Sequence, residues 1–279
     1  MKRRLLALDL DGTLLGPNGE PHPADLRAVL AAREAGVRVT IVTGRLYSGT
    51  KATAIRLGLD GAVGCVDGSH VVSASTHTTL MHHGVFDDDA RTLRDSIAAG
   101  GPATFLFARD RVIHDDAGVP FLEYVTLWSG ALNSTRNIFE HEAWSDPDGI
   151  TSVVAIGTAD QIALAAKTVE ERLPGKVSLA AFPVHRLGER WGLVARGSAG
   201  DKGTALRWIA EHEKIEIEDT VCVGDWLNDV PMFRVAGKRY AMSQAPHELK
   251  VLATEVLEAD GIRGGGVAEV IYREFGVRA

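Results

Sequence analysis

The sequence predicts an α/β fold in which a parallel-sheet core is interrupted by an inserted α+β module. Three observations carry that expectation. Short apolar runs alternate with stretches of helical periodicity near both ends of the chain. Between them lies a run of different texture, TFLFARDRVIH, whose alternation suits antiparallel strands. After that module the first texture resumes.

Taken in order, residues 5–10 (LLALDL) form the first expected strand. Residues 23–36 (PADLRAVLAAREAG) place Leu26, Val29, Leu30 and Ala32 at helical spacing and stop at Gly36. Residues 37–42 (VRVTIV) are the next strand, followed by a helix over 46–57 and a third short strand at 61–66 (GAVGCV). The module opens with an acidic helix start, FDDDARTLRDSIAAG, in which the triplet Asp87, Asp88 and Asp89 suits the positive end of a helix dipole. It closes on a strand–helix–strand pattern at 152–156, 159–173 and 176–182, after a loop-rich stretch at 132–149. Returning to the first texture, DKGTALRWIAEHE reads as a helix, TVCVGD as a buried strand and ELKVLATEVL as a further helix; residues 266–275 form the last. The boundaries expected are a core of residues 1–82 and 191–279 and an insertion of 83–190.

Composition narrows the function. A chain of 279 residues with 45% hydrophobic and 24% charged positions has the make-up of a globular protein with a sizeable core. The net charge of −7 leaves no basic surplus to neutralise phosphates, which excludes a general nucleic-acid binder. No stretch reaches the length of a membrane span, and the apolar run after Lys2, Arg3 and Arg4 is too short for a signal peptide. Cys65 and Cys222 sit in apolar runs and read as small buried hydrophobes in a reducing compartment, so a cytoplasmic location is expected.

The chemistry gathers at the strand ends. In open parallel sheets, sites form beyond the carboxyl ends of the strands. Those ends carry Asp9 and Asp11, then Thr43-Gly44-Arg45, then Asp67-Gly68-Ser69, then Gly224-Asp225-Trp226-Leu227-Asn228-Asp229. Lys202 opens the helix before the last of these strands. Unpaired carboxylates at a core edge are costly, and a hard cation with oxygen ligands compensates them. Phosphoryl transfer needs a nucleophile, a proton-transfer group, a divalent ion and donors for the phosphoryl oxygens. Asp9 suits the nucleophile and Asp11 the acid and base. Asp225 suits direct Mg²⁺ ligation, Asp229 a ligand's water, and Asn228 can orient its neighbours. Thr43 and Lys202 suit phosphoryl oxygens, with Lys202 also restraining Asp9, while Gly12, Gly44 and Gly224 permit close backbone approach.

DLDGTLL, IVTGR, the Asp-Lys-Gly around Lys202 and VGDWLND, in that order, resemble the four signature motifs of the haloacid dehalogenase superfamily. The insertion falls where the Cof-like sugar-phosphate phosphatases of that superfamily carry a large α/β cap. The resemblance implies a Rossmann-like core and Mg²⁺-dependent hydrolysis of phosphate monoesters. It makes Asp9, Asp11, Thr43 and Lys202 catalytic; Asp9, Asp11, Asp225 and Asp229 metal-binding; and Gly12, Gly44, Arg45, Asp67, Gly68 and Asn228 substrate-binding. The partner implied is a small phosphorylated metabolite, sugar phosphates first, with the chain a monomer or homodimer. Two positions depart from the family pattern. Asp67 stands where many relatives have Asn, and AMSQAP at 241–246 resembles the family's AMGNA loop with Ser243 and Gln244 substituted.

Other features read more plainly. His77, His82 and His83 mark a polar hairpin or hinge rather than a metal site, and Gly264-Gly265-Gly266 a loop before a helix. Trp128, Trp144 and Trp191 are core or cap-face aromatics. His185, Arg186 and Arg190 lie near the return from the insertion and read as a solvated hinge ahead of a contact with phosphorylated substrate. The competing functions are a hexose phosphomutase, a non-catalytic phosphometabolite-binding protein and a receiver-type signalling domain. The insertion and Asp11 argue against the last, and a binding protein has no need of both Asp9 and Asp11.

Overall fold

The computed structural model describes residues 4–278, so Lys2 and Arg3 lie outside the described residues. Along the chain run β1 (Leu5–Leu8), α1 (Pro23–Glu34), β2 (Arg38–Ile41), α2 (Tyr47–Arg56), β3 (Ala62–Cys65), β4 (His70–Ser73) and β5 (Thr79–His82). Next come α3 (Asp87–Gly100), β6 (Ala103–Ala108), β7 (Arg111–His114), α4 (Leu122–Val125), β8 (Leu132–Ser134), β9 (Ser152–Gly157), α5 (Ala159–Arg172), β10 (Val177–Pro183) and β11 (Trp191–Gly197). Last are α6 (Lys202–His212), β12 (Thr220–Gly224), α7 (Val230–Val235), β13 (Lys238–Ala241), α8 (His247–Lys250), β14 (Glu255–Val256) and α9 (Gly266–Phe275). No helix among the described residues is long and apolar enough to cross a membrane.

The chain divides into two compact units. The first takes in the chain up to Gly44, Lys51–Met81 and everything from Asp201 onward. Its main sheet has the order β14-β13-β12-β1-β2, and every neighbouring pair is parallel. All four residues of β1 are buried because the strand is central, so it reads as a continuous apolar run rather than an alternating one. Leu5, Ala7 and Cys222 share one core with Leu206, Ile209, Met232 and Phe233 of α6 and α7. The end of α9 is secured through Asp25 of α1. Its buried carboxylate accepts the backbone N–H groups of Gly265 at 2.8 Å and Ala268 at 2.7 Å, supplying a cap that the local sequence lacks.

One expectation is refined here and another needs correction. The third strand meets the parallel sheet through a single parallel bridge, Val42 with Gly64, and its longer pairing is elsewhere. β3 pairs antiparallel with β4, with Cys65 opposite His70, in a separate sheet of order β3-β4-β5. A short buried apolar run carries no information about the direction of its partner. The His77 region is the β4–β5 turn, where Ser73 N–H donates to Thr78 O at 2.9 Å. The helix read over ELKVLATEVL stops at Lys250. Thr254 N–H donates to Arg239 O and Leu257 N–H to Ala241 O, both at 2.8 Å, and this pairing with β13 overrides helical periodicity in favour of β14.

The second unit comprises Arg45–Thr50 and His82–Gly200. Its sheet has the order β10-β11-β9-β6-β7-β8 and is antiparallel except for β7 with β8. Leu93 and Ile97 of α3 and Ile162, Ala165 and Val169 of α5 share its core with Val153 and Leu193. α5 starts with a capping box in which Thr158 and Gln161 exchange hydrogen bonds. Residue 191, expected to reopen the core, instead begins β11. Pairing on both sides, with β9 and β10, keeps that strand in the second unit, and the first resumes at Asp201. Arg45–Thr50 groups here because Leu46 N–H donates to Trp128 O at 3.1 Å and the Ser48 hydroxyl joins Asp110 and Ser129.

Candidate active site

Parallel pairing brings the carboxyl ends of β1, β2 and β12 to one edge of the first unit. The ladder extends one residue past β1, where Asp9 N–H donates to Val223 O at 3.1 Å. Val42 N–H bonds Leu8 O and Thr43 N–H bonds Gly64 O, both at 2.9 Å. Thr43 O in turn accepts from Asp67 N–H at 2.9 Å. Backbone hydrogen bonds therefore fix Asp9, Thr43 and Asp67 relative to one another. Lys202 is the first residue of α6, whose N-cap Asp201 accepts from Thr204 N–H at 2.7 Å.

Lys202 is the hub. Its Nζ donates to Asp9 Oδ1 at 2.6 Å and to Asp229 Oδ1 at 2.7 Å, with the ammonium fully buried. Both oxygens of Asp229 are engaged. Its Oδ2 accepts from the backbone N–H groups of Asp225 at 2.9 Å and Trp226 at 3.1 Å. Asp229 therefore orients Lys202 and the 225–229 turn. Asp225 accepts from the Thr13 hydroxyl at 3.1 Å through Oδ1, and from Gln244 Nε2 at 3.2 Å through Oδ2. Its carboxylate presses on Gly12, where φ is +82° and a Cβ would lie 2.3 Å from Asp225 Oδ2, so only glycine fits.

Carboxylate oxygens of Asp9, Asp225 and Asp229 lie within 4.8 Å of one another, and all three residues are buried. Three carboxylates face one ammonium, so the buried cluster is anionic. Burial raises the proton affinity of Asp9 well above the usual carboxylate range. Lys202 opposes the shift, while Asp229 and Asp225 reinforce it. Asp225 is pushed up to about 6, chiefly by burial and then by Asp229, against the pull of the Thr13 and Gln244 hydrogen bonds. Burial works against charge on Lys202, but Asp229, Asp9 and Asp67 outweigh it and hold the ammonium protonated. An all-oxygen, buried, net-negative donor set fits a hard divalent cation.

The other expected residues fall as follows. Asp11 is exposed and lies outside the converging trio, so its carboxylate is not one of the three. Thr43 is buried at the tip of β2. Asp67 accepts from Asn228 Nδ2 at 2.8 Å, and its carboxylate lies against Gly44. The turn carrying Asp67 is strained, because Val66 and Asp67 both take left-handed φ values of 49° and 50°, unfavourable for a β-branched residue. Gly68 completes that turn at φ +91°. Arg45, expected with the substrate-binding residues, groups with the second unit. Sequence reasoning gave no role to Thr13 or Gln244. The only signal for Gln244 was the AMSQAP likeness.

Comparison with known proteins agrees with this fold. The family model described as haloacid dehalogenase-like hydrolase matches residues 6–271. Pyridoxal phosphate phosphatase YbhA of Escherichia coli (strain K12) is 26% identical over 92% of this chain and 94% of its own. A phosphoglycolate phosphatase of Methanothermobacter thermautotrophicus is 26% identical over 98% of this chain and 99% of its own. Among solved structures, a haloacid dehalogenase-like hydrolase from Bacteroides thetaiotaomicron superimposes with a TM-score of 0.84 at 20% identity, covering 98% of this chain and 99% of that one.

Proposed function

The chain belongs to the haloacid dehalogenase-like hydrolases, and we propose that it is a Mg²⁺-dependent phosphatase of small phosphorylated metabolites acting through an aspartyl-phosphate on Asp9. The observation that carries this reading is the double contact of Lys202 Nζ with Asp9 at 2.6 Å and Asp229 at 2.7 Å. It fixes Asp9 at a strand tip inside an oxygen cluster suited to a cation. The relatives act, by their names, on pyridoxal phosphate and phosphoglycolate, which supports a small phosphate monoester as substrate. Sugar phosphates come first because Asp67 offers a carboxylate acceptor to substrate hydroxyls.

Asp9 supplies the nucleophilic oxygen. It bonds to phosphorus as the ester P–O bond breaks, and the leaving oxygen keeps the electron pair and takes a proton from Asp11. Water then gives a proton to Asp11 and attacks phosphorus, the P–O bond to Asp9 breaks, and inorganic phosphate departs. Lys202 and Thr43 hold phosphoryl oxygens. Asp9 and Asp225 would hold the cation, which would supply charge neutralisation at the phosphoryl group, and Asp229 keeps Lys202 in place. We assign substrate selection to the second unit as a cap, since the groups given chemical roles belong to the first. The buried thiols Cys65 and Cys222 support a cytoplasmic setting.

Phosphate release from an aryl phosphate and a panel of phosphorylated sugars, pyridoxal phosphate and phosphoglycolate, with Mg²⁺ or with chelator, tests the proposal. Turnover unaffected by chelator would remove the metal. No turnover of any ester with Mg²⁺ would remove the activity.

A further inference from the structure

We propose that Gln244 is a positioning residue that orients the Asp225 carboxylate for the cation. The proposal rests on the metal-dependent reading above. Gln244 lies in the turn between β13 and α8, secured by Ala245 N–H to Met242 O at 3.0 Å and Ser243 N–H to Ala259 O at 2.9 Å. Its side chain is exposed, yet both ends of its amide are engaged. Nε2 donates to Gly12 O at 2.7 Å and to Asp225 Oδ2 at 3.2 Å, while Oε1 accepts from Gly261 N–H at 3.2 Å. Only this orientation of the amide satisfies all three neighbours, because the reverse would set its oxygen against two acceptors.

The consequence falls on Asp225. Thr13 donates to one of its oxygens and Gln244 to the other, so rotation of the carboxylate plane is restrained from both sides. Gly12 blocks a third direction. A carboxylate offers about four acceptor positions, so two remain for a cation. Ordering of the ligand is thereby built into the fold before the ion arrives, as is general for groups behind a metal ligand. The same amide joins three segments that contribute to this edge. The backbone of Gly261 packs so closely on Gly12 that a Cβ there would lie 2.4 Å from Gly12 O. A clip serving only that contact has no need of the hydrogen bond to Asp225, and this separates the two roles experimentally.

The test titrates metal-free protein with Mg²⁺ by calorimetry and records Tm without metal, for wild type, Gln244→Met and Gln244→Asn. Methionine keeps length and volume but removes the amide, and at an exposed position it leaves the core untouched. Mg²⁺ affinity should fall about tenfold in Gln244→Met, within the range for loss of a group behind a ligand. Gln244→Asn should lie between Gln244→Met and wild type. At saturating Mg²⁺, kcat on an aryl phosphate should change much less than the affinity. Wild-type Mg²⁺ affinity in Gln244→Met together with a lowered metal-free Tm would overturn the proposal and leave a structural clip. Absence of Mg²⁺ binding in wild type would instead overturn the metal reading itself.

Discussion

Lys202 and Asp9 are 193 positions apart in sequence, yet their side chains meet at 2.6 Å with the ammonium fully buried. That contact compensates part of a cluster of three buried carboxylates. Replacing Lys202 with Met should therefore both abolish turnover and destabilise the metal-free protein, by about 3–5 kcal/mol, because the acids lose their cation. Mg²⁺ should restore more stability to the variant than it adds to wild type. Urea unfolding with chelator and with Mg²⁺ gives both differences, and equal Mg²⁺ effects in the two proteins would contradict the compensation argument.

The pH response follows from Asp225. Its folded-state value of about 6 lies above the ordinary 3.8. Between those values the folded state holds the proton more firmly than the unfolded chain, so the contribution of Asp225 to stability is present below 3.8 and is lost as pH rises through about 6. Metal-free wild type should lose stability across that window relative to Asp225→Asn. A cation must displace the same proton, so Mg²⁺ affinity should fall as pH drops below about 6. Calorimetric titrations from pH 5 to pH 8 check the sign.

Asp67 places a further negative charge beside Lys202 and accepts from Asn228 at 2.8 Å. Asp67→Asn should tighten inhibition by inorganic phosphate roughly three- to tenfold, the size expected for removing one charge near a protein surface. It should also narrow the preference for hydroxyl-rich substrates over an aryl phosphate. An unchanged phosphate inhibition constant would show that Asp67 does not face the anion.

Much of this site was legible in the sequence because strand tips are specified locally: an apolar run, then Asp9, or TVCVG, then Asp225. Periodicity placed α1, α5, α6 and α9 for the same reason. The antiparallel partner of β3 and the end of the helix before β14 were hidden, since both depend on which strand lies alongside. The engagement of both Asp229 oxygens by Lys202 and two backbone N–H groups was equally invisible, as was the Gln244 bridge. These are contacts between segments far apart in sequence, and residue type does not announce them.

Asp25 illustrates the same point away from the chemistry. Its buried carboxylate caps α9 from α1, accepting from Gly265 and Ala268. Asp25→Ala should cost about 1–3 kcal/mol, the range for losing the acceptor of two buried N–H donors. Turnover at temperatures where the variant stays folded should be unaffected. A urea midpoint equal to wild type would show that the cap contributes nothing.

The central claim is that Asp9 carries the phosphoryl group. The most direct measurement quenches the enzyme during turnover of an aryl phosphate with Mg²⁺ and maps the phosphorylated peptide by mass spectrometry, before and after hydroxylamine. The account predicts a hydroxylamine-labile phosphate on Asp9 alone, absent in chelator and in Asp9→Asn, with turnover of that variant abolished. Label on another residue, or Asp9→Asn retaining near-normal turnover, would contradict it.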